Sequence, residues 1–350
     1  MDALISPRRR TLLLGALGTA ALAACQRSAP STDGGRLHLS GETMGSTWNA
    51  KLDPAGHTAE RLAEALRAAL QGVDERMSRY RPESELSAFN SAPAGVPIPL
   101  SSELFAVFAA AQEVSRWSDG AFDVTVAPAV ETWGFGVNKQ RRVPASEQVV
   151  AQRAKVDWRA MQLDTAHRTA TKGRPGLQAD LGGIAKGYGV DIAAGALDAL
   201  GVAHYMIEVG GEVRTKGVNG AGEPWQIGIE EPDAMPQRAR HVVPLSGKAM
   251  ATSGDYRLYF EQDGRRYSHE IDPTTAAPIA HRLCSVTVVA EDCMRADAIA
   301  TALIVLGPDR ALAMAEAAGV AAQFIERSAP GRYHDRMTTA FATLGARSAA

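Results

Sequence analysis

Asp297 and Thr301 stand four residues apart in Arg295-Ala296-Asp297-Ala298-Ile299-Ala300-Thr301-Ala302-Leu303, an apolar stretch that reads as helix. On a helix that spacing brings a carboxylate and a hydroxyl to one face. Two hard oxygens pointing the same way, completed by a backbone carbonyl, water and phosphate oxygens, form the kind of set that holds Mg²⁺. The same pair also suits a plainer role, with Asp297 as a charge near the helix start and Thr301 bonded to the carbonyl one turn back. A second cluster is Asp180-Leu181-Gly182-Gly183-Ile184-Ala185-Lys186-Gly187-Tyr188, ahead of a helical pattern running to Leu200. Adjacent glycines at a helix start let backbone N–H groups approach an anion, and the helix dipole favours phosphate there. The run is neither GxGxxG nor GxxxxGK[ST], so neither a dinucleotide fingerprint nor a P-loop is supported. An ordinary tight turn into a helix has the same composition.

A third cluster, Arg266-Tyr267-Ser268-His269-Glu270-Ile271-Asp272-Pro273, follows a possible hairpin over Tyr259 to Arg265 and sets a histidine between carboxylates. His269 there is a candidate general base, or simply a polar strand residue. The fourth, Gly120-Ala121-Phe122-Asp123-Val124-Thr125-Val126 with Trp133-Gly134-Phe135-Gly136 downstream, supplies aromatic surface and a carboxylate, or else core and turn. The elements that must position these groups are mixed. Arg61 to Tyr80, Glu103 to Trp117 and Ser146 to Val156 carry apolar residues at helical spacing. His204 to Val209, Trp225 to Ile229, His241 to Pro244 and Cys284 to Ala290 are β-branched or alternating, with turn residues between them. Without a clean βαβ repeat, the pattern favours an α+β fold over a doubly wound sheet.

The chain has 350 residues, 45% hydrophobic and 22% charged, which is a globular composition with room for one or two domains. Its 37 Lys+Arg against 39 Asp+Glu leave a net charge of −2, so nothing in the balance points to nucleic acid. Arg8-Arg9-Arg10, the apolar run Thr11 to Ala24 and then Cys25 follow the order of an export signal, and the run is too short to span a bilayer. Leu22-Ala23-Ala24-Cys25 resembles the lipobox of bacterial lipoproteins, which makes Cys25 the expected lipidation site after removal of residues 1–24. Ser6 to Leu13 is also loosely twin-arginine-like, leaving the export route open. Residues 25–36, rich in Ser, Pro and Gly, read as a flexible tether, and residues 37–345 as a single domain. Cys284 and Cys293 are open between a disulfide and two buried thiols.

In their order and wording these clusters resemble the ApbE family, the FAD:protein FMN transferases, from Gly41 to about Ile325. The matching stretches are Thr43 to Thr47, Met77 to Pro82 with Ser84 to Ser87 and Asn90, Phe122 to Val126, Trp133 to Gly136, Asp180 to Gly187, Val209 to Glu212, Thr252 to Tyr256, Ser268 to Pro273 and Ala296 to Leu303. The resemblance implies a T-fold-like α+β architecture of mixed antiparallel sheets with packed helices. It implies an enzyme of the bacterial cell envelope, facing the periplasm, that splits FAD with Mg²⁺ and attaches FMN to a threonine or serine of a partner protein, releasing AMP. The partners implied are subunits of membrane redox complexes, and a lipid anchor would tie the enzyme to a membrane. Carried over by position, flavin contacts fall on Met44, Tyr80, Ala121, Phe122, Asp123, Asp180, Lys186 and Ile271. Asp297, Thr301 and the Gly183 carbonyl would ligate Mg²⁺, and His269 is the candidate for taking the proton of the incoming hydroxyl.

Three positions depart from the family pattern. Ala276 stands where Gly is usual, Glu212 where Asp is usual, and Ser46 where Thr is usual. A turn with positive φ accepts Ala poorly, so the Ala276 turn is expected to differ. Two further functions fit the same residues: an FAD pyrophosphatase that uses water as acceptor, and a lipoprotein that holds flavin without turnover.

Overall fold

The computed structural model describes residues 31–33 and 35–349; the export segment, Cys25 and the start of the tether lie outside the described residues. Nine strands form the main sheet: β1 (Ser31–Asp33), β2 (Arg36–Thr43), β3 (Ser46–Leu52), β4 (Tyr205–Val209), β5 (Glu212–Lys216), β6 (Ala249–Gly254), β7 (Leu283–Ala290), β8 (Ala321–Ala329) and β9 (Arg332–Met337). Their spatial order is their chain order, and every pairing is antiparallel. The sheet is therefore a meander whose connections carry everything else. The long insert between β3 and β4 holds helices α1 (Ala59–Met77), α2 (Ser102–Trp117) and α3 (Ala185–Ala199), and the β7–β8 connection holds α4 (Cys293–Leu306). The expected α+β class with antiparallel sheets is what the chain adopts.

Four expected boundaries shift. Ser31–Asp33 of the stretch read as tether pairs with β2, which itself starts at Arg36. Beyond the expected domain end at 345, Arg347–Ser348 pairs with the strand Ala239–Leu245, which also pairs with Trp225–Glu230. The helix expected to reach Tyr80 stops at Met77. Ser84 Oγ donates to the Ser78 carbonyl at 2.7 Å and Arg81 Nε to Asp74 Oδ2 at 2.6 Å, so side chains turn the backbone out of the helix. Likewise the helix expected over Ser146 to Val156 ends at Arg153.

Apolar faces explain the layers. Trp48, Ala50 and Leu52 of β3 pack against Leu62, Leu66 and Leu70 of α1 and Val190, Ala193 and Leu197 of α3. Val286 and Val288 of β7 pack against Leu303 and Ile304 of α4. The opposite sheet face buries Cys284 and Ile325 against Trp225, Ile227 and Phe341. Covered on both faces, β7 is buried along nearly all its length, Ser285 and Thr287 included. Cys284 and Cys293 are free thiols in separate parts of the core, which closes the disulfide alternative.

Candidate functional site

Helix α4 is buried over most of its surface and rich in alanine, so neighbouring backbone comes close to it. Asp297, only 2% exposed, is the charge in that apolar setting. Such a group needs partners to remain buried. One is the Gly187 N–H, which donates to Asp297 Oδ2 at 3.0 Å. The approach requires glycine: a Cβ at Gly187 would lie 2.3 Å from the Cys293 carbonyl oxygen and 2.8 Å from Asp297 Cβ. One turn along α4, a Cβ at Gly183 would lie 2.7 Å from Thr301 Oγ1. The glycine run thus lays its backbone on the Asp297–Thr301 face. Thr301 Oγ1 is also 3.1 Å from Ser253 Oγ of β6.

Lys186, at the start of α3, completes the centre. Its Nζ lies 2.6 Å from Glu212 Oε1 and 3.9 Å from Asp297 Oδ1. Glu212 opens β5 after the two-residue turn Gly210-Gly211, with φ of 60° and 108°, a geometry that glycine adopts without strain. A Cβ at Gly210 would sit 3.3 Å from Lys186 Cδ, so the turn runs along the lysine stem. Burial pushes the Glu212 carboxyl up to about 8, with Asp297 adding to the rise and Lys186 opposing it. Burial also raises the Asp297 carboxyl against the pull of Lys186 and the Gly187 N–H. Burial alone would lower the lysine, but Asp297 and Glu212 hold its ammonium charged well above the ordinary range.

The remaining residues form a rim. Asp180 Oδ1 accepts from Gly182 N–H at 2.8 Å, its other oxygen accepts from Arg79, and Arg79 Nη2 reaches Glu131 Oε2 at 3.3 Å. The Glu131 carboxylate accepts in turn from the backbone of Val137 and Asn138, which fixes the loop beside Tyr80. Tyr80 itself is 60% exposed, a ring presented to solvent. Met44, in the Met44-Gly45 turn between β2 and β3, has a φ of 48°, and its Cε would lie 2.7 Å from a Cβ on Gly189 of α3. Ile271 is buried with Trp133, Phe135 and Ala276. His269 Nδ1 is 3.1 Å from the Leu258 carbonyl oxygen, which fixes Nδ1 as the donor, and Nε2 lies 3.7 Å from Glu270 Oε1. Burial raises the Glu270 carboxyl, while His269 and Lys186 oppose it.

Some positions sit differently from their expected use. Ala121, Phe122 and Asp123 are buried. Asp123 spends its oxygens inside the protein, Oδ1 on the Thr125 N–H and hydroxyl at 2.7 Å each and Oδ2 on the Trp158 N–H at 2.9 Å. Its side chain braces the loop. The turn at Ala276 does not open either: Ala276 takes a φ of 54°, its N–H donates to the Asp272 carbonyl at 2.8 Å, and its carbonyl accepts from Trp133 Nε1 at 2.8 Å. These bonds hold alanine where glycine would fit more easily. Ser253 and Glu270 lie in stretches the sequence singles out but carry no assigned role there, and the Arg79–Glu131 link is not readable from it. Arg79 and Glu131 are 52 residues apart and only the fold joins them, although Arg79 lies inside one of the matching stretches.

Among the described residues no three His, Cys, Asp or Glu side chains converge on a metal position. The site's side-chain oxygens are instead the Asp297 carboxylate and the hydroxyls of Thr301 and Ser253. Two buried carboxylates share one ammonium, and Glu212 Oε2 has no hydrogen-bond partner among the described residues. Hard oxygens of this kind fit a divalent cation such as Mg²⁺.

The family model described as "ApbE family" matches residues 44–324. An FAD:protein FMN transferase of Haemophilus influenzae is 43% identical over 331 residues, covering 92% of this chain and 94% of the relative. Another from Escherichia coli is 36% identical over 294 residues, covering 83% and 84%. The solved structure of the flavin transferase ApbE from Vibrio cholerae superposes with a TM-score of 0.81 at 40% identity, covering 88% of this chain and 99% of that one. Matched by the family model over residues 44–324 and by relatives along most of its length, the chain belongs to the ApbE family.

Proposed function

We propose that this protein is an FAD:protein FMN transferase. The P–O bond to the AMP half of FAD breaks, a new P–O bond forms to a threonine or serine hydroxyl of a partner protein, and AMP leaves. The observation that carries the reading is the oxygen set of buried Asp297 and Ser253 and half-buried Thr301 against the Gly183 backbone, with Lys186 beside it. Asp297, Thr301 and the Gly183 carbonyl would hold Mg²⁺, which when bound neutralises the pyrophosphate and polarises the attacked phosphorus. Around it, Lys186 supplies a fixed positive charge for phosphate oxygens. Tyr80 and Met44 offer ring and apolar surface to the flavin, with Ile271 in the core behind the site, and the Gly182 and Gly183 backbone admits the phosphates closely. With Nδ1 committed to the Leu258 carbonyl, His269 keeps the Nε2 lone pair free to take the acceptor's hydroxyl proton.

The basic, apolar and Cys25-terminated N-terminus supports export, lipidation at Cys25 and a place on the periplasmic face of the cell envelope. Subunits of membrane redox complexes carrying a Thr or Ser in an Asp/Ser-Gly-Ala-Thr/Ser-like motif are the proposed acceptors. AMP release, measured with and without such an acceptor, tests the reaction. A transferase releases AMP with the acceptor present and in step with protein-linked flavin. Equal release without acceptor, leaving free FMN, makes the protein a pyrophosphatase, and retention of intact FAD makes it a flavin holder.

A further inference from the structure

We propose that Glu212 is a positioning residue that holds Lys186 away from Asp297, keeping the free carboxylate oxygen of Asp297 open to a divalent cation. The inference rests on the reading that the cation sits between Asp297 and Thr301. Lys186 Nζ has two carboxylates within reach, yet it lies 2.6 Å from Glu212 Oε1 and 3.9 Å from Asp297 Oδ1. The first distance is a charge-assisted hydrogen bond and the second is not. Asp297 Oδ2 is occupied by the Gly187 N–H at 3.0 Å, so Oδ1 is the oxygen the lysine would otherwise cap.

Three features make Glu212 a holder and not a bystander. Lys186 is the one cation in ion-pair range of Glu212 among the described residues, and Glu212 Oε2 has no hydrogen-bond partner there. The carboxylate hangs from the first residue of β5, fixed by the Val209 to Glu212 pairing across the Gly210-Gly211 turn. That turn also lies along the lysine stem, which limits where the ammonium can swing. In addition, Glu208 Oε1 accepts the Gly211 N–H at 2.7 Å while its Oε2 accepts from Asn49 Nδ2 at 2.8 Å, bracing the turn from its outer side. With glutamine in place of Glu212, the nearest remaining carboxylate for Lys186 is Asp297, and the ammonium then occupies the place of the metal.

Mg²⁺ titration calorimetry on the purified protein, without FAD or acceptor and at about pH 8.5 so that the carboxylates are ionised, tests this as a double-mutant cycle. The set is wild type, Glu212→Gln, Lys186→Met and the double variant, with Lys186→Gln as the uncharged background should the Met variant not fold. Glu212→Gln is expected to weaken Mg²⁺ binding about tenfold or more when Lys186 is present, and by less than about threefold when it is absent. Equal weakening in both backgrounds overturns the proposal, because Glu212 then acts by its charge alone. No weakening in either background overturns it as well. If wild type binds no Mg²⁺ at all, the metal reading itself fails, an outcome distinct from failure of the cycle.

Discussion

Replacing Gly187 with alanine tests whether the close approach of α3 to α4 builds the site. The added Cβ would lie 2.3 Å from the Cys293 carbonyl oxygen, 2.7 Å from its carbon and 2.8 Å from Asp297 Cβ. Two of these atoms are backbone, so no rotamer change relieves the contact, and the helices must separate by about 1 Å. Overpacking of this kind costs about 1–3 kcal/mol, against about 1 kcal/mol recovered from alanine's better helix propensity. The separation also stretches the 3.0 Å bond from Gly187 N–H to Asp297 Oδ2 past hydrogen-bond range, leaving the carboxylate less supported. Displacement of a ligand by about 1 Å lowers turnover on the order of 100-fold. Gly195→Ala is the matched control: it lies in the same helix, is exposed and has nothing within 4 Å of the added Cβ. Thermal melts and flavin-transfer rates on both variants check the argument. The control should melt at or above wild type with full activity, while Gly187→Ala should melt several degrees lower and be nearly inactive. Matching behaviour of the two variants would refute the reasoning.

Other substitutions follow from the same geometry. Ala276→Gly should raise stability by about 1 kcal/mol, because alanine at a φ of 54° carries left-handed strain that glycine does not; an unchanged or lower unfolding midpoint in urea counts against this. Asp123→Ala should cost about 3 kcal/mol or more by stripping the Thr125 and Trp158 donors of their acceptor, read as a large loss of denaturant midpoint with or without FAD. Glu212 should make the metal-free protein less stable as pH rises. Its carboxyl is raised from 4.5 to about 8 in the fold, so its contribution is full below about pH 4.5 and is lost as pH rises through about 8. Melting curves in chelator across that window should slope downward for wild type and flatten for Glu212→Gln; identical slopes contradict the assignment.

Much of this was legible in the sequence where the signal is local. The i,i+4 spacing of Asp297 and Thr301 placed both on one helix face, and the glycine run at 182–187 announced a backbone made for close approach. The strands of alternating or β-branched residues, such as Tyr205–Val209 and Leu283–Ala290, were readable for the same reason. What escaped was long-range. Nothing in spacing says that Lys186 would choose Glu212 over Asp297, or that Arg79 would bridge Asp180 and Glu131, because such pairs exist only once the meander closes. For Asp123 the sequence leaves aromatic surface with a carboxylate or core and turn, and only its three hydrogen bonds show the side chain bracing the loop. Ala276 shows that a turn can keep its shape against residue preference when a buried indole and a backbone bond hold it.

The central claim is that the face of α4 bearing Asp297 and Thr301 supports transfer of FMN onto a protein hydroxyl. Tandem mass spectrometry of an acceptor protein after incubation with FAD, Mg²⁺ and the enzyme tests it directly. A phosphodiester-linked FMN on a single Thr or Ser, absent with Asp297→Asn and in chelator, is the predicted result. An unmodified acceptor beside folded wild-type enzyme, or a modification undiminished in Asp297→Asn, would contradict it.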